Sequence, residues 1–293
     1  MTNFLELNFG KDFVSRFQVE DQVGKGFSGI VLRAIERSSG KRVAIKYFSK
    51  KGVDQGEFAQ RFQREARILS QLRHPNILTI YDYGIDGMTP YLVEELLDGL
   101  TLANVLKKRG PLPLGITLSI SSQIADALAY AHEGNIVHRD IKPGNVFLSR
   151  NCLATLIDFG LARNLLEGNR ITAAGKIVGT IYYMAPEQVK GEQATKASDI
   201  YALGLVIFTM LTGRLPFSTD KSAMLREKSE GLVKSLDDPE FGVKAPRRLS
   251  ELLDRMFRKN PLKRPSRMRK AADVLTSLCN DYGVPQSSWK IFD

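Results

Sequence analysis

Cysteine is scarce in this sequence, and no apolar run is long enough to cross a bilayer. Cys152 and Cys279 are the two cysteines among 293 residues, too few and too far apart for a disulfide framework or a zinc site. The longest apolar run, from about Ile200 to Leu211, falls short of the ~20 residues that a membrane helix needs. The N-terminal sequence "MTNFLELNFGKDF" lacks the basic start and apolar core of a secretory signal. We therefore expect a cytoplasmic chain with no membrane segment.

Positive charge is abundant but unevenly distributed. The chain carries a net charge of +10, and the segment from Arg247 to Lys270 alone contributes +8, from ten Lys or Arg and two acids. Such a segment is typical either of a docking patch for nucleic acid or acidic lipid, or of a solvated helix face with structural arginines. We favour the second interpretation because "NPLKRPS" within the segment reads as a structured loop, and we expect no nucleic-acid partner.

Hydrophobic patterns predict an α+β chain. Alternating apolar and polar positions predict antiparallel strands near 17–24, 29–37 and 42–48, and two more near 77–83 and 90–95. One helix is predicted between them, because its apolar residues recur at helical spacing. These residues are Phe58, Phe62, Ile68, Leu69 and Leu72. From Leu102 the pattern is mainly helical, and a long helix over "ITLSISSQIADALAYAHEG" ends at Gly134.

The change of pattern near Asp98 and Gly99 predicts a boundary between two lobes of one domain. We assign residues 16–97 to a small lobe and residues 98–276 to a large lobe. Residues 1–15 are expected to be an N-terminal extension, and residues 277–293 a C-terminal tail without an assigned role.

Three glycines in "QVGKGFSGIV" indicate a phosphate-binding loop. Gly24, Gly26 and Gly29 have the spacing G-x-G-x-x-G, and glycines let backbone N–H groups approach phosphate oxygens closely. A dinucleotide-binding fingerprint has the same spacing but must open a helix. Here a second strand and a hairpin follow, which argues against that fold. A Walker loop is excluded because no Gly-Lys-Ser/Thr ends the run.

A lysine and a glutamate follow the glycine loop. Lys46 lies in the strand "VAIK", and Glu65 lies on the predicted helix after it. A lone lysine at a strand edge is uninformative. A Lys and a Glu in this order indicate an ion pair that holds Lys46 against phosphate oxygens.

Three further motifs come in a fixed order: "HRDIKPGN" from His138 to Asn145, "IDFG" from Ile157 to Gly160, and "APE" from Ala185 to Glu187. With the preceding motifs, this series resembles the eukaryotic-type (Hanks-type) serine/threonine protein kinase family, most closely its bacterial branch, over roughly residues 15–275. The resemblance implies a bilobal protein-kinase-like fold, with a small antiparallel β-sheet lobe plus one helix and a larger, mainly helical lobe. It also implies ATP and Mg²⁺, with Mn²⁺ as an alternative, and protein substrates with Ser/Thr acceptors.

The resemblance also implies residue roles in phosphoryl transfer. Asp140 would orient the substrate hydroxyl and accept its proton, and Lys142 would hold the γ-phosphate. Asn145 and Asp158 would ligate the metal ions, since hard cations take oxygen ligands. Lys46, paired to the helix glutamate, would hold the α- and β-phosphates.

ATP-binding residues are implied in both lobes. They are Gly24, Lys25, Gly26, Phe27, Ser28, Gly29, Val31, Ala44, Lys46, Glu95, Leu97 and Phe147. Val31, Ala44 and Phe147 would sandwich the adenine ring, and the backbone N–H of Leu97 would bond to it.

Regulation is implied by Arg139, which precedes the expected catalytic Asp. A buried arginine there seeks an anion, and a phosphate on the loop after "IDFG" would supply one. Thr172 in "NRITAAGK" is the candidate for autophosphorylation, and the competing interpretation is an unmodified loop residue. Thr180, in "GT", is typical of Ser/Thr kinases rather than Tyr kinases.

Several residues are implied as scaffold. Glu187 and Arg264 would form a buried ion pair, and Asp199 would anchor a spine that aligns the lobes. The spine would consist of Leu69, Ile80, His138 and Phe159. His138 is interpreted as a packed structural residue rather than a base.

One position departs from the family pattern. Glu94 in "YLVEEL" stands behind the expected adenine pocket, where the family usually has an apolar residue or Thr. A buried carboxylate must be hydrated, paired or protonated. Glu94 is therefore the nearest reason for an alternative function, a pseudokinase that binds nucleotide or a partner without transfer.

Two more functions are compatible with the sequence: an enzyme of the same fold that acts on a small molecule such as an amino sugar, and a nucleic-acid binder. The segment "TIYYMAPE" resembles the peptide-docking loop of protein kinases and favours a protein substrate. A homodimer through the small lobe is compatible with the resemblance.

Overall fold

The computed structural model describes residues 9–26, 29–48, 55–160, 180–284 and 289. The chain divides into two compact units. Of the described residues, the small lobe comprises 9–74 and 78–98, and the large lobe comprises 75–77, 99–160, 180–284 and 289. The main division falls between Asp98 and Gly99, where the hydrophobic pattern changes.

The small lobe is built on a five-stranded antiparallel sheet in the order β1-β2-β3-β5-β4. Its strands are Phe17–Gly26 (β1), Gly29–Glu36 (β2), Arg42–Tyr47 (β3), Ile80–Asp86 (β4) and Thr89–Glu95 (β5). The strand expected near 77–83 begins later, at Ile80. Ile77 belongs to the large lobe instead, where it forms a β-bridge with Leu156.

The two faces of this sheet are chemically different. Val31 is paired with Lys46, and Ala44 with Glu94, so these four side chains share one face. Leu32 is paired with Ile45 on the opposite face. The side chains on that face belong to a buried apolar cluster. The register therefore places Val31, Ala44 and Lys46, which are expected to bind nucleotide, on the face opposite the hydrophobic core.

A short helix, Lys11–Arg16 (α1), covers the apolar face of the sheet. The Phe13 ring lies 5.2 Å from that of Tyr47 and 5.3 Å from that of Tyr91, centroid to centroid. The Gly10 N–H and the Tyr47 hydroxyl both donate to the Asp86 carboxylate, at 2.8 and 2.7 Å. Residues 11–15, expected to lie in an extension, are thus part of the lobe, because Phe13 completes its core.

The predicted helix is present as Gln55–Leu69 (α2). Phe58, Phe62 and Leu69 are buried as expected, together with Ala66. Ile68 is 46% exposed, so the expectation that it joins this face is wrong. At 100° per residue, position 68 points away from the row formed by 58, 62, 66 and 69.

The large lobe is mainly helical in the part that the structure describes. Its helices are Leu102–Arg109 (α3), Leu114–Glu133 (α4), Pro186–Val189 (α5), Lys196–Thr212 (α6), Lys221–Glu230 (α7), Arg247–Met256 (α8) and Met268–Asp281 (α9). The apolar run near Ile200 to Leu211 lies in α6 and is buried throughout. Within the described ranges, no helix has the length and apolar character to span a membrane.

A small antiparallel sheet in the large lobe was not predicted. It consists of Gly99–Thr101 (β6), Val146–Ser149 (β7) and Ala154–Leu156 (β8), in that order. Strands of three or four residues are too short to show an alternating pattern. The sheet matters for the site because the "HRDIKPGN" motif leads into β7 and the "IDFG" motif follows β8.

Part of the range expected to be a C-terminal tail is described by the structure. Helix α9 continues past residue 276, since Leu278 and Cys279 are buried on its inner face. Trp289 is 6% exposed. Its backbone N–H donates to the Cys152 sulfur at 2.9 Å, and its indole N–H to the Ser119 hydroxyl at 3.2 Å. Trp289 therefore packs on the large lobe.

Candidate active site

The Asp140 side chain lies at the centre of a polar cluster on the loop before β7. Lys142 Nζ donates to Asp140 Oδ2 at 2.6 Å. The Asn145 amide group donates to the same oxygen at 3.0 Å and to the Asp140 backbone carbonyl at 2.7 Å. Pro143–Asn145 form a single 3₁₀ turn, and the side chains of Asp140, Lys142 and Asn145 meet beside it. The Asp140 carboxylate is thus oriented from two sides and still partly accessible.

Asp199, at the start of α6, holds the backbone before Asp140. Its buried carboxylate accepts the backbone N–H groups of His138 at 2.8 Å and Arg139 at 2.9 Å. It also bonds to His132 Nε2 at 2.8 Å. Arg139 has a φ of +70° and Asp158 a φ of +60°, which are unfavourable for residues with a Cβ. Such strain persists only where the surrounding contacts enforce it, and it is concentrated at functional sites.

His138 is a packed neutral residue in this arrangement. It is fully buried, and its ring lies 4.5 Å from that of Phe159. Nδ1 accepts the Asp140 backbone N–H at 3.4 Å, and Nε2 is 3.1 Å from the Ile157 carbonyl, so Nε2 carries the proton. Desolvation lowers the pKa of His138 and outweighs the opposing charge of Asp199. The geometry agrees with a structural role.

Asn145, which contacts Asp140, and Asp158, which follows β8, have the chemistry of cation ligands. Both amide hydrogens of Asn145 are donated to Asp140, which leaves Asn145 Oδ1 as an acceptor. Asp158 follows β8, and its exposed carboxylate supplies further oxygens. Among the described residues, no three acids, histidines or cysteines gather into a metal cluster. This donor set fits a hard divalent cation that takes its remaining oxygen ligands from phosphates and water.

Val31, Ala44 and Lys46, which are expected to bind nucleotide, lie with Glu94 on one face of the small-lobe sheet. Ala44, Lys46 and Glu94 are each 7% exposed. Glu65 lies on α2, and its pairing with Lys46 remains a prediction. Gly29 has a φ of +142°, and a Cβ there would overlap the Tyr47 carbonyl oxygen. That glycine is therefore required by strand packing as well as by the expected phosphate contact.

The other residues expected to bind ATP or to regulate the site lie on several elements. Gly24, Lys25 and Gly26 lie in β1, Glu95 ends β5, Leu97 follows it, and Phe147 lies in β7. The Glu95 backbone N–H donates to the Thr79 carbonyl at 2.9 Å. Thr180 begins a 3₁₀ turn, Thr180–Tyr183. Phe27, Ser28 and Thr172 lie outside the described residues.

The expected ion pair of Glu187 and Arg264 is present in the large lobe. Arg264 donates from Nη1 to Oε1 and from Nη2 to Oε2, each at 2.7 Å, and Ser198 donates to Oε1 at 2.7 Å. Burial alone would raise the pKa of Glu187. The hydrogen bonds from Arg264 and Ser198 outweigh it and hold the pKa below its ordinary value of 4.5.

Gln188 is a site residue that the sequence analysis missed. Its side-chain oxygen accepts the Ala185 backbone N–H at 3.0 Å, and its side-chain nitrogen donates to the Arg139 carbonyl at 3.4 Å. Gln188 thus ties the start of α5 to the residue before Asp140. Its position directly after "APE" was the signal that could have found it.

These features are those of a phosphoryl-transfer enzyme fold, and comparisons with known proteins identify it. A model described as the protein kinase domain matches residues 17–277. The chain belongs to this family.

Similar proteins support the assignment. The chain is 40% identical over 219 residues to the serine/threonine-protein kinase PrkC of Bacillus subtilis, covering 75% of this chain and 34% of that protein. It is 35% identical over 260 residues to the serine/threonine-protein kinase PknA of Mycobacterium tuberculosis, covering 87% and 59%. The chain thus spans between about a third and three fifths of the length of these curated relatives.

A solved structure shares the fold. The crystal structure of Rad53 1–466 in complex with AMP-PNP aligns with a TM-score of 0.73 at 28% identity, covering 89% of this chain and 65% of that one. The resemblance to Hanks-type kinases and the predicted bilobal α+β fold are confirmed.

Proposed function

We propose that this chain is the catalytic domain of a serine/threonine protein kinase, which transfers the γ-phosphoryl group of ATP to Ser or Thr hydroxyls of proteins. The observation that carries the proposal is the cluster of Asp140, Lys142 and Asn145, with a carboxylate oriented by two donors on one loop. Phosphoryl transfer needs mainly positioning and charge neutralisation from a protein. A cluster of this composition supplies both.

The role proposed for Asp140 is to bind and orient the acceptor hydroxyl. A carboxylate is an acceptor only, so it holds a hydroxyl by its hydrogen. It takes that proton as the hydroxyl oxygen bonds to the γ-phosphorus and the bond from this phosphorus to the β-phosphate oxygen breaks, which releases ADP. Lys142, 2.6 Å from Asp140 Oδ2, carries its ammonium on a flexible four-carbon stem and can contact an oxygen of the transferred group. Asn145 keeps the Asp140 carboxylate turned towards the substrate.

Asn145 Oδ1 and the Asp158 carboxylate are the proposed metal ligands. The bound cation would neutralise phosphate charge during transfer. We propose Mg²⁺, because hard oxygen ligands and phosphates suit it. Mn²⁺ has similar oxygen chemistry and is the alternative.

The polar face of the small-lobe sheet is the proposed adenine and phosphate surface. Val31 and Ala44 would contact the adenine ring, and Lys46 would meet the phosphates. Lys46 is 7% exposed, and a buried ammonium is stable only beside an anion or acceptors. The proposed anions are the α- and β-phosphates and Glu65.

The choice of protein acceptors rests on similarity and on one segment. The relatives PrkC and PknA are named serine/threonine-protein kinases. The segment from Thr180 to Glu187 resembles a peptide-docking loop. We also propose autophosphorylation at Thr172, action in the cytoplasm, where free thiols such as Cys152 and Cys279 stay reduced, and a homodimer through the small lobe.

The test compares the wild type with Asp140→Asn in the presence of Mg²⁺, γ-labelled ATP and a generic basic protein. Loss of a general base typically lowers the rate by about 10²–10⁴-fold, and we expect a loss in that range with ATP affinity retained. Asp273→Asn is the matched control, because Asp273 is exposed on α9. Label on Ser or Thr from the wild type alone supports the proposal. Proteolytic digestion of the same sample, followed by mass spectrometry of the peptides, shows whether Thr172 carries phosphate.

The opposite outcome is equally informative. A wild type that binds ATP and transfers no label, under Mg²⁺ or Mn²⁺, would overturn the proposal in favour of nucleotide binding without transfer. Equal labelling by wild type and Asp140→Asn would remove Asp140 from the reaction.

A further inference from the structure

Helix α7 contains a lysine that is completely buried. Lys228 is 0% exposed, although the helix sequence "KSAMLREKSE" is strongly polar. Its side chain enters the large lobe beside Met224, the other buried residue of this helix. Fully buried lysines are rare and are normally paired. The functional roles described so far do not use Lys228.

The partners of Lys228 are backbone carbonyl groups. Lys228 Nζ donates to the carbonyls of Tyr182 at 2.7 Å, Met184 at 2.9 Å and Ile181 at 3.3 Å. An ammonium has three N–H donors, so each is matched by one acceptor. Nζ also lies 5.1 Å from the centre of the Phe217 ring, a cation–π distance. In the part of the chain that the structure describes, no carboxylate forms an ion pair with it.

The three carbonyls belong to one short segment, the 3₁₀ turn Thr180–Tyr183 and the residue after it. The last carbonyls of a helical turn have no partner within the turn, and a cation at that end is favourable. Lys228 therefore supplies hydrogen bonds to the Tyr182 and Met184 carbonyls and a second donor to that of Ile181.

Burying the Lys228 ammonium opposes folding, because the charged group loses its hydration. Burial lowers the pKa of Lys228 to about 7, because desolvation disfavours the charged ammonium. A methionine would fill similar volume without that cost. The benefit of a lysine here is thus local: it fixes where three carbonyls lie.

The neighbouring residues are already held by other side chains. Gln188 binds the Ala185 N–H and the carbonyl of Arg139, which precedes Asp140. Glu187 is tied to Arg264. The backbone from Ile181 to Met184 is the part that leads into this fixed region, and Lys228 holds it.

We infer that Lys228 is a positioning residue for the protein substrate: it fixes the Ile181–Met184 backbone beside the Asp140 loop as a docking surface. The inference rests on the proposed kinase function. Lys228 acts through the backbone and does not touch ATP or the transferred group. Its loss should therefore weaken the use of protein substrate and spare that of ATP.

The decisive variant is Lys228→Met, with Lys221→Met as the matched control. Lys221 is exposed at the start of the same helix. In steady-state kinetics with a Ser/Thr peptide, Lys228→Met is expected to lower kcat/KM for the peptide by about 10- to 100-fold, mainly through KM, because small misplacements of a binding surface are costly. The KM for ATP should stay within about twofold, as in Lys221→Met. Lys228→Arg keeps the cation and donors and should recover most of the loss.

Hydrogen exchange followed by mass spectrometry tests the same tether without catalysis. The Met184 N–H bonds to the Ile181 carbonyl, and this amide should exchange faster in Lys228→Met than in Lys221→Met. Unchanged peptide kinetics and unchanged exchange in Lys228→Met would overturn the inference. If Lys228→Met does not fold, Lys228→Arg is compared with Lys228→Gln, and equal peptide KM values would overturn it.

The two proposals fail in different ways. A wild type without transfer activity defeats the proposed function, while the exchange experiment still decides whether Lys228 holds the turn. An active wild type with a normal Lys228→Met variant defeats only the inference.

Discussion

Removing Arg264 should cost the large lobe much of its stability. Arg264 is 3% exposed and forms two hydrogen bonds with the Glu187 carboxylate at 2.7 Å. The same guanidinium donates to three backbone carbonyls: Arg258 at 2.8 Å, Ala197 at 2.9 Å and Lys259 at 3.3 Å. Arg264→Met keeps most of the volume and removes every donor.

The expected magnitude follows from what is left behind. Glu187 would remain buried with the Ser198 hydroxyl as its neutral partner, and breaking one side of a buried ion pair costs about 3–5 kcal/mol. Each backbone carbonyl that loses its hydrogen bond from Arg264 adds to that cost, except where water replaces the guanidinium as donor. We therefore expect Arg264→Met to lower the free energy of unfolding by about 4 kcal/mol.

Urea unfolding followed by tryptophan fluorescence measures the loss of unfolding free energy in the large lobe. The chain has one tryptophan, and Trp289 is buried in the large lobe, bonded to Cys152 and Ser119. Its emission therefore reports on that lobe. Arg247→Met is the control: its side chain is 90% exposed and forms an (i, i+4) pair with Glu251, worth about 0.3–0.5 kcal/mol.

The desolvation cost of a buried unpaired charge predicts an asymmetry that a simple sum of hydrogen bonds does not. Replacing Glu187 and Arg264 together by Met removes the stranded charge, so the double variant should be more stable than Arg264→Met alone. A loss below about 1 kcal/mol for Arg264→Met, or a double variant that is the least stable, would refute the role given to desolvation.

Two further predictions concern pH and the small lobe. The folded-state pKa of Glu187 lies below its ordinary value of 4.5. The ionised Glu187 therefore stabilises the fold above pH 4.5, and this contribution is lost as the pH falls through the folded-state pKa. The difference in free energy of unfolding between wild type and Arg264→Met should thus decrease in acid, and a difference that stays constant in urea titrations at several pH values would contradict this linkage. Phe13→Ala should destabilise the small lobe by about 3–5 kcal/mol, seen as faster hydrogen exchange of the β3 amides, whereas Val14→Ala, at a position 46% exposed, should leave exchange unchanged.

The larger elements could be predicted because their patterns are long. The alternation in β1 to β3 placed these strands to within two residues of Phe17–Gly26, Gly29–Glu36 and Arg42–Tyr47. The long helix was expected over residues 116–133 and is Leu114–Glu133. In each case a buried face repeats several times along the element, so the period is visible without tertiary information.

Short elements escaped for the complementary reason. Helix α1 has six residues and one buried side chain, Phe13, so tertiary packing rather than local pattern creates it. Strands β6 to β8 offer three or four residues each. Lys228 escaped because a lysine in a polar helix predicts exposure, and its partners are carbonyls, which every sequence contains.

The site itself is built on loops, and this explains the buried charges around it. A loop lacks the repeating backbone hydrogen bonds of a helix or sheet, so side chains must supply fixed partners for its N–H and C=O groups. Asp199 does so for the backbone before Asp140, and Lys228 for the turn after Thr180. The Glu187–Arg264 pair fixes the start of α5 between them. Each of these charges costs desolvation energy that an apolar residue would avoid, and each holds one stretch of loop in the large lobe. Apolar residues at these positions would thus avoid the desolvation cost in the large lobe, but the charged residues fix the loop backbone, and phosphoryl transfer would require that fixed geometry.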